Sequence, residues 1–480
     1  MAKPLSGTDR FFGITERGST LRTEIFAGLT AFITLAYVLI MNPQILAAPY
    51  DPANAGVYPH ADAGMYLKIY NGVFIATCIG SFLGTMLCAV YAKVPYVQAP
   101  GMGLNTFFAY TVCLGLGYTY QQALVIVFIS GMLFILISLV GIRDAIVKAI
   151  PRAVKHAITP GIGLFITILG LKNGGIVIAD SSTLVGLVDF AQWQADGGNT
   201  SALAAPVLAL LGLALIGILT ARKVRGAVMI SIVAITLLGI PLDVTPIQAF
   251  TFDLGQQFRD FVQVSLFKLD FAGMFDASAH GITQTALTIV MLLISFSLVN
   301  LFDSIGTLLG AARQAGMIDE KGNAIRMNEA LMADAVSTAA CALVGTSTVS
   351  TMVESAAGIA AGGRTGLTSL VTAILFLLSA LLAPLVSIIP ACATAPALIY
   401  VGVLMLSSIK EVNFDDITDA IPAFCTVVFM PFTYSIANGV AMGLLFHCIL
   451  KIAAGRIREV NPLALIIAMI FLTRYAFMSM

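Results

Sequence analysis

The sequence predicts an all-α polytopic membrane protein of about 14 transmembrane segments, arranged as two inverted seven-segment repeats. Three observations predict it. Hydrophobic residues make up 59% of the 480-residue chain and charged residues 10%, against roughly 25% charged in soluble domains. Apolar stretches recur from Ile25 to Leu450, most of them near the roughly 20 residues a helix needs to cross a bilayer. A weak pattern in the first half also returns, in the same order, in the second.

The expected spans of the first half are 25–46, 72–90, 100–116, 120–142, 157–178, 203–221 and 226–242. Those of the second are 284–312, 328–345, 351–362, 366–389, 395–409, 417–434 and 435–452. The stretches 100–116 and 351–362 are short and Gly-rich. A last apolar stretch, Pro462 to Tyr475, is limited by Arg474 to less than a full crossing.

Lys and Arg set the orientation. With Lys3, Arg10, Arg17 and Arg22 inside, alternate loops hold Lys93, Arg143/Lys148/Arg152/Lys155, Arg222/Lys223/Arg225, Arg313, Arg364 and Arg456/Arg458. The opposite loops carry Asp51, Asp62, Asp180, Asp189, Asp196, Asp243 and Asp253, and fewer basic residues. This is the positive-inside pattern and predicts a cytoplasmic N-terminus in a cell (inner or plasma) membrane. The acidic loop with Asp415, Asp416 and Asp419 also falls inside, which the rule tolerates because acidic residues contribute little to it. The first twenty residues lack the apolar core of a cleaved signal peptide.

The internal repeat pairs GMLFILISLVGIRDAIVKAIP (from Gly131) with AILFLLSALLAPLVSIIP (from Ala373), then TPGIGLFITILGL (from Thr159) with APALIYVGVLMLS (from Ala395). Inverted repeats with Gly-interrupted segments at matching places point to a transporter whose site lies at the repeat interface.

Composition excludes other classes. Net charge is zero, so nothing points to nucleic acid. The seven Cys form no CxxC pair and read as small buried hydrophobes. The four His make no ligand spacing, so no metal and no cofactor is expected.

The chemistry concentrates in three places. Tyr96–Phe108 reads YVQAPGMGLNTFF and Gly345–Ser355 reads GTSTVSTMVES. Each predicts a few extended residues leading into a half-helix, with Pro100 in the first turn of the former. Half-helix termini at mid-membrane leave N–H donors free, and broken backbone survives there only when buried or lining a cavity. Asn105 and Phe107 on the first segment, and Ser350, Thr351 and Glu354 on the second, are the candidate ligand contacts, with Phe107 and Phe108 as stacking rings. Thr351-x-x-Glu354 also fits a capping box, in which Glu354 serves only its own helix. The third place is Asp303, inside the apolar run 284–312, with Asn300 and Thr307 on the same helix face. An ionisable group in a span is a functional candidate by default, although polar neighbours on other helices would equally satisfy it. Asp334, near the polar start of its span, reads as structural.

The motifs APGMGLNTFFAY, VNLFDSIGTL and STVSTMVESAAGIAAGGRTGLT resemble those of the AzgA-like purine permeases, a branch of the superfamily that also holds the uracil and xanthine permeases. The resemblance runs from about Thr20 to beyond Arg458. It implies a core, here 20–142 and 280–390, and a gate, here 143–250 and 391–455, with 456–480 as an apolar tail. It implies proton symport of a purine base, hypoxanthine or guanine before adenine, and, as in many members, a homodimer. Glu354 matches the family's substrate-binding Glu, Asp303 the acidic residue of the eighth segment, and Asn105 a polar residue of the first half-helix. Uracil permeases place a His where this chain has Thr307, which leaves Asp303 as the proton carrier. The Gln-His pair of the xanthine and ascorbate branch is missing from Ile25–Met41. Two rivals remain: an intramembrane enzyme with Asp303 and Glu354 as paired carboxylates, and a same-fold anion exchanger or channel. Aspartyl chemistry needs two Asp in suitable motifs, and a carboxylate facing the substrate disfavours an anion.

Overall fold

The computed structural model describes residues 7–140, 151–180, 183–191, 201–245, 253–276, 282–315, 317–318, 325–386 and 388–477. The expected boundaries at 142/143, 250 and 280, together with Arg143 and Lys148, fall outside these residues. Among the described residues, 8 helical runs are long and apolar enough to cross a membrane, and the chain is a multi-pass membrane protein.

The first span is two helices, α1 (Leu21–Leu35) and α2 (Tyr37–Ala47), meeting at Ala36. Helix α3 (Ala63–Leu87) begins earlier than the expected 72, because Asp62 accepts from the Met65 amide and starts the helix ahead of its apolar run. Strand β1 (Gln98–Pro100) leads into α4 (Met102–Thr106), which continues in wider π-helical turns over Phe107–Gly115. Helices α5 (Tyr120–Val140) and α6 (Arg152–Asn173) follow.

The expected span 157–178 is corrected at its end. Gly174 and Gly175, the latter at φ +68°, stop α6. Val177–Asp180 is then strand β2, paired antiparallel with β3 (Leu184–Leu187). A short β-branched run such as Ile176-Val177-Ile178 suits a strand as readily as a helix end. Helices α7 (Ser201–Ala221) and α8 (Ala227–Gly239) close the first half.

The link between the halves holds a helix the apolar pattern does not announce, α9 (Leu254–Asp260), capped by Asp253. Its buried Asp260 accepts from Asn71 Nδ2 and Gln256 Nε2, each at 2.8 Å, and so fastens α9 to α3. The second half runs α10 (Ile282–Ala315), α11 (Met327–Val344), β4 (Val349–Thr351), α12 (Ser355–Ala360) and α13 (Gly366–Leu378). Then come α14 (Ala391–Leu406), α15 (Ile417–Phe432), α16 (Ile436–Ala453) and α17 (Pro462–Phe477). Helix α17 packs against α16 and α10 and buries Ala464, Ala468 and Phe471.

Packing sorts the helices. α13 lies on α1 and α3, and α11 on α3 and α5. Separately, α14 lies on α6, α15 on α6 and α16, and α7 on α8 and α14. The α6–α14 crossing is close because it is made by two glycines. A Cβ on Gly402 would sit 2.5 Å from the Gly163 carbonyl, and one on Gly163 2.9 Å from that of Gly402. At the α15–α16 end, the acidic loop meets its counter-charges. Arg456 Nη1 reaches Asp416 Oδ2 at 2.6 Å, and Lys451 Nζ lies 3.1 Å from Asp419 and 2.9 Å from Glu459. Hydrogen bonds from Thr418 and then Arg456 hold the Asp416 carboxyl below the usual carboxylate range.

Candidate functional site

Strands β1 and β4 pair antiparallel, Gln98 opposite Thr351, Ala99 opposite Ser350 and Pro100 opposite Val349, all buried. Pro100 therefore ends the strand instead of opening the helix, which starts after Gly101. The pair is continued by Gly101 N–H to the Thr348 carbonyl (3.2 Å) and Met352 N–H to that of Val97 (3.0 Å).

Asp334 of α11 clamps the two strands together. It accepts a short hydrogen bond from Gln98 Nε2 and a 3.0 Å bond from the Thr351 hydroxyl. Ser337 donates to Gln98 Oε1 at 2.7 Å, and Thr85 to the Gln98 carbonyl at 2.8 Å. Asp334→Ala removes the acceptor of three buried donors, Gln98 Nε2 and the Thr351 hydroxyl and amide, at about 1–3 kcal/mol each. The expected outcome is a clear drop in the thermal denaturation midpoint in detergent, larger than for Ser337→Ala. An unchanged midpoint would show that the strands hold without the clamp.

The Thr351 hydroxyl is thus committed to Asp334, and the capping box does not form. Helix α12 begins at Ser355 with Glu354 as its N-cap and no side-chain cap. Glu354 is half-buried, and its side chain is not tied to the start of its own helix. One of its oxygens, Oε1, accepts from Tyr37 Oη at 2.6 Å. Asp303 of α10 accepts from Ser350 Oγ at 3.4 Å. Gly101 passes directly over this pair. A Cβ there would lie 3.3 Å from Ser350 Oγ and 3.5 Å from Asp303 Oδ2, so the glycine keeps the carboxylate uncovered. Thr307 stands one turn on from Asp303, but its hydroxyl donates to the Asp303 and Ser304 carbonyls at 2.8 and 3.2 Å.

A cavity of about 550 Å³ joins these groups. Tyr37, Gly101, Asp303, Thr307, Thr351 and Glu354 line one side and Val401, Leu404 and Met405 of α14 the other. It extends to Lys155, His156 and Glu411, where His156 Nδ1 lies 2.7 Å from Glu411 Oε2. Small-molecule sites span about 300–1,000 Å³, so the cavity suits a compact polar ligand. Two carboxylates on the lining favour a ligand rich in N–H donors.

Four residues singled out in the sequence lie elsewhere. Asn105 is fully buried and donates to Asn42 Oδ1 at 2.6 Å, while Asn42 donates to Thr77 and Thr346 at 2.6 and 2.9 Å. Phe107 is buried against Phe296, ring centroids 5.2 Å apart, and Phe108 against Tyr120. Asn300 faces Thr338. None of these four lines the cavity. Among the described residues, the phenyl ring that does is that of Tyr37, which no local motif marks. Buried Glu24 is a second surprise. It accepts from the Arg364 and Thr365 amides (3.0 and 3.3 Å) and from the Thr368 hydroxyl, so the GGRTGLT half of the long motif is a clasp on α1.

Residues 22–442 match the family described as the permease family. Over 98% of this chain and 96% of its own length, an adenine permease of Escherichia coli K12 is 38% identical. A guanine/hypoxanthine permease of Bacillus subtilis 168 is 37% identical over 96% of this chain and 98% of its own. In fold, the chain is similar to the transmembrane domain of the cyanobacterial bicarbonate transporter BicA, with TM-score 0.56 and 16% identity, covering 87% of this chain and 97% of that one. SLC26A9 gives TM-score 0.58 at 14% identity, covering 90% and 66%.

Proposed function

The chain belongs to the AzgA-like purine permease branch of the permease family, a transporter and not an enzyme, and from that premise we propose that it takes up purine nucleobases by proton symport. The observation that carries the reading is the placement of Asp303 and Glu354 on one cavity beside the paired strands. A purine such as hypoxanthine or guanine presents N–H donors along one edge. Glu354 accepts from them with the oxygen that Tyr37 leaves free, and charge-assisted bonds of this kind are the strong ones. Asp303, reached by the same cavity, carries the proton.

Two packing groups support a core and a gate. Strands β1 and β4, α1–α3, α5 and α10–α13 form the core; α6–α8 and α14–α16 form the gate. They stand as the halves of two inverted seven-segment repeats, and alternating access is a shift of one group against the other around a site carried by the core. On the orientation set by the basic loops, the end with Lys155 and His156 is cytoplasmic, and the cavity is open inward.

Hypoxanthine and guanine are the proposed substrates. Adenine is the second reading, favoured by the similarity to adenine permeases. Labelled uptake in cells lacking their own purine permeases tests the function, and unlabelled bases in competition rank the substrates. No saturable uptake of any purine would overturn the reading.

The gate's part is testable at Val401, which lines the cavity from α14. Gly163 is unsuitable, being closed against Gly402. With the seven native Cys replaced, Val401→Cys is expected to react with a polar thiol reagent more slowly when purine is present. Unchanged labelling in protein that still transports would mean that neither substrate nor motion reaches α14.

A further inference from the structure

Behind the purine cavity lies a second one, of about 240 Å³. Its lining is mostly apolar but includes Thr220, Lys223 and Arg225, which are exposed, and Tyr400. The two cavities have three lining residues in common: Tyr37, Glu354 and Leu404. Tyr37 is the largest of the three and is 1% exposed. It opens α2 directly after the Ala36 break, and its hydroxyl bond to Glu354 fixes the ring across the boundary. Among the described residues, those common to both compartments are thus a phenol, the carboxylate it is tied to, and a leucine.

That carboxylate is the group assigned above to the N–H edge of the base, so the edge it holds is the edge that meets the wall. An appendage on that edge has nowhere to go while Tyr37 is in place. Resting on the purine reading, we propose that Tyr37 is a specificity-determining partition. It restricts the site to bare bases by closing off a compartment whose cations and hydroxyls would otherwise receive a polar appendage such as a pentosyl or hydroxyalkyl group. Tyr37 has two separable roles in this arrangement. Its ring is the wall, and its hydroxyl orients Glu354. Tyr37→Phe removes the second and keeps the first, and Tyr37→Ala removes both.

The test is competition against whichever labelled base the wild type takes up, using its nucleoside and its singly hydroxyethylated N1, N7 and N9 derivatives. Wild type and Tyr37→Phe are expected to exclude the appended purines. Tyr37→Ala is expected to admit at least one of them about ten-fold better, the scale on which a pocket wall discriminates. An equal gain in Tyr37→Phe would assign selectivity to the hydrogen bond and overturn the partition. So would Tyr37→Ala that binds the bare base with no gain for any derivative. If Tyr37→Ala does not reach the membrane, Leu404→Ala opens the same wall from α14 with the Tyr37–Glu354 bond intact, and gain or no gain decides in the same way. A wild type that binds no purine at all would instead remove the functional reading beneath the proposal.

Discussion

Glu354→Gln is expected to leave purine uptake at background while the protein still reaches the membrane. Tyr37 donates to Oε1, and a glutamine oxygen can keep that bond. The amide then stands where the second carboxylate oxygen stood, and presents a donor to the donor edge of the base. Losing a charge-assisted hydrogen bond costs about 1.5–3 kcal/mol, so purine binding should weaken about ten-fold or more. Titration calorimetry on detergent-purified protein measures this directly. Because the capping box is absent, the helix start is not at stake, and near-normal affinity in Glu354→Gln would mean that the base is held by other groups.

Asp303→Asn separates binding from coupling. Asn has the shape of the protonated acid and cannot give the proton up. The side chain is approached by Ser350 Oγ and left open by Gly101, so the substitution disturbs little around it. Purine binding and exchange across a proteoliposome membrane are expected to persist, while accumulation against a gradient disappears. Protonophore-sensitive accumulation by Asp303→Asn would move the proton to another group, and Glu354, on the same cavity, becomes the candidate.

The membrane fold was legible because most spans are long apolar runs, a signal that survives uncertainty of several residues at either end. What the runs do not encode is where polar caps extend a helix, as Asp62 does, or where a β-branched tail turns into a strand, as at Val177. The candidate site was legible through its carboxylates, since an acid within a span demands a reason. Polar and aromatic neighbours carry no such mark. Asn105 sits in the same motif as Gly101, yet its amide nitrogen is engaged by Asn42, reached from a different helix. A sequence cannot distinguish a buried amide bonded to a neighbour from one awaiting a ligand. Tyr37 is hidden for the opposite reason. It lies in an unremarkable apolar stretch, and its partner Glu354 is 317 residues away.

The pairing of β1 with β4 bears on how the protein is made. The strand segments come from opposite halves of the chain, and within lipid an extended segment has no other source of backbone partners. A nascent chain that has inserted its first half therefore holds Gln98–Pro100 with open amides and carbonyls until the second half arrives, and Gln98 waits for Asp334 as well. The two halves cannot mature independently. Chains that terminate between the end of α5 and the start of β4 should be recognised and degraded in the membrane, even though every span they contain is apolar enough to insert. Co-expression of the missing half as a separate polypeptide should rescue them, because the strand pair needs proximity rather than a continuous chain.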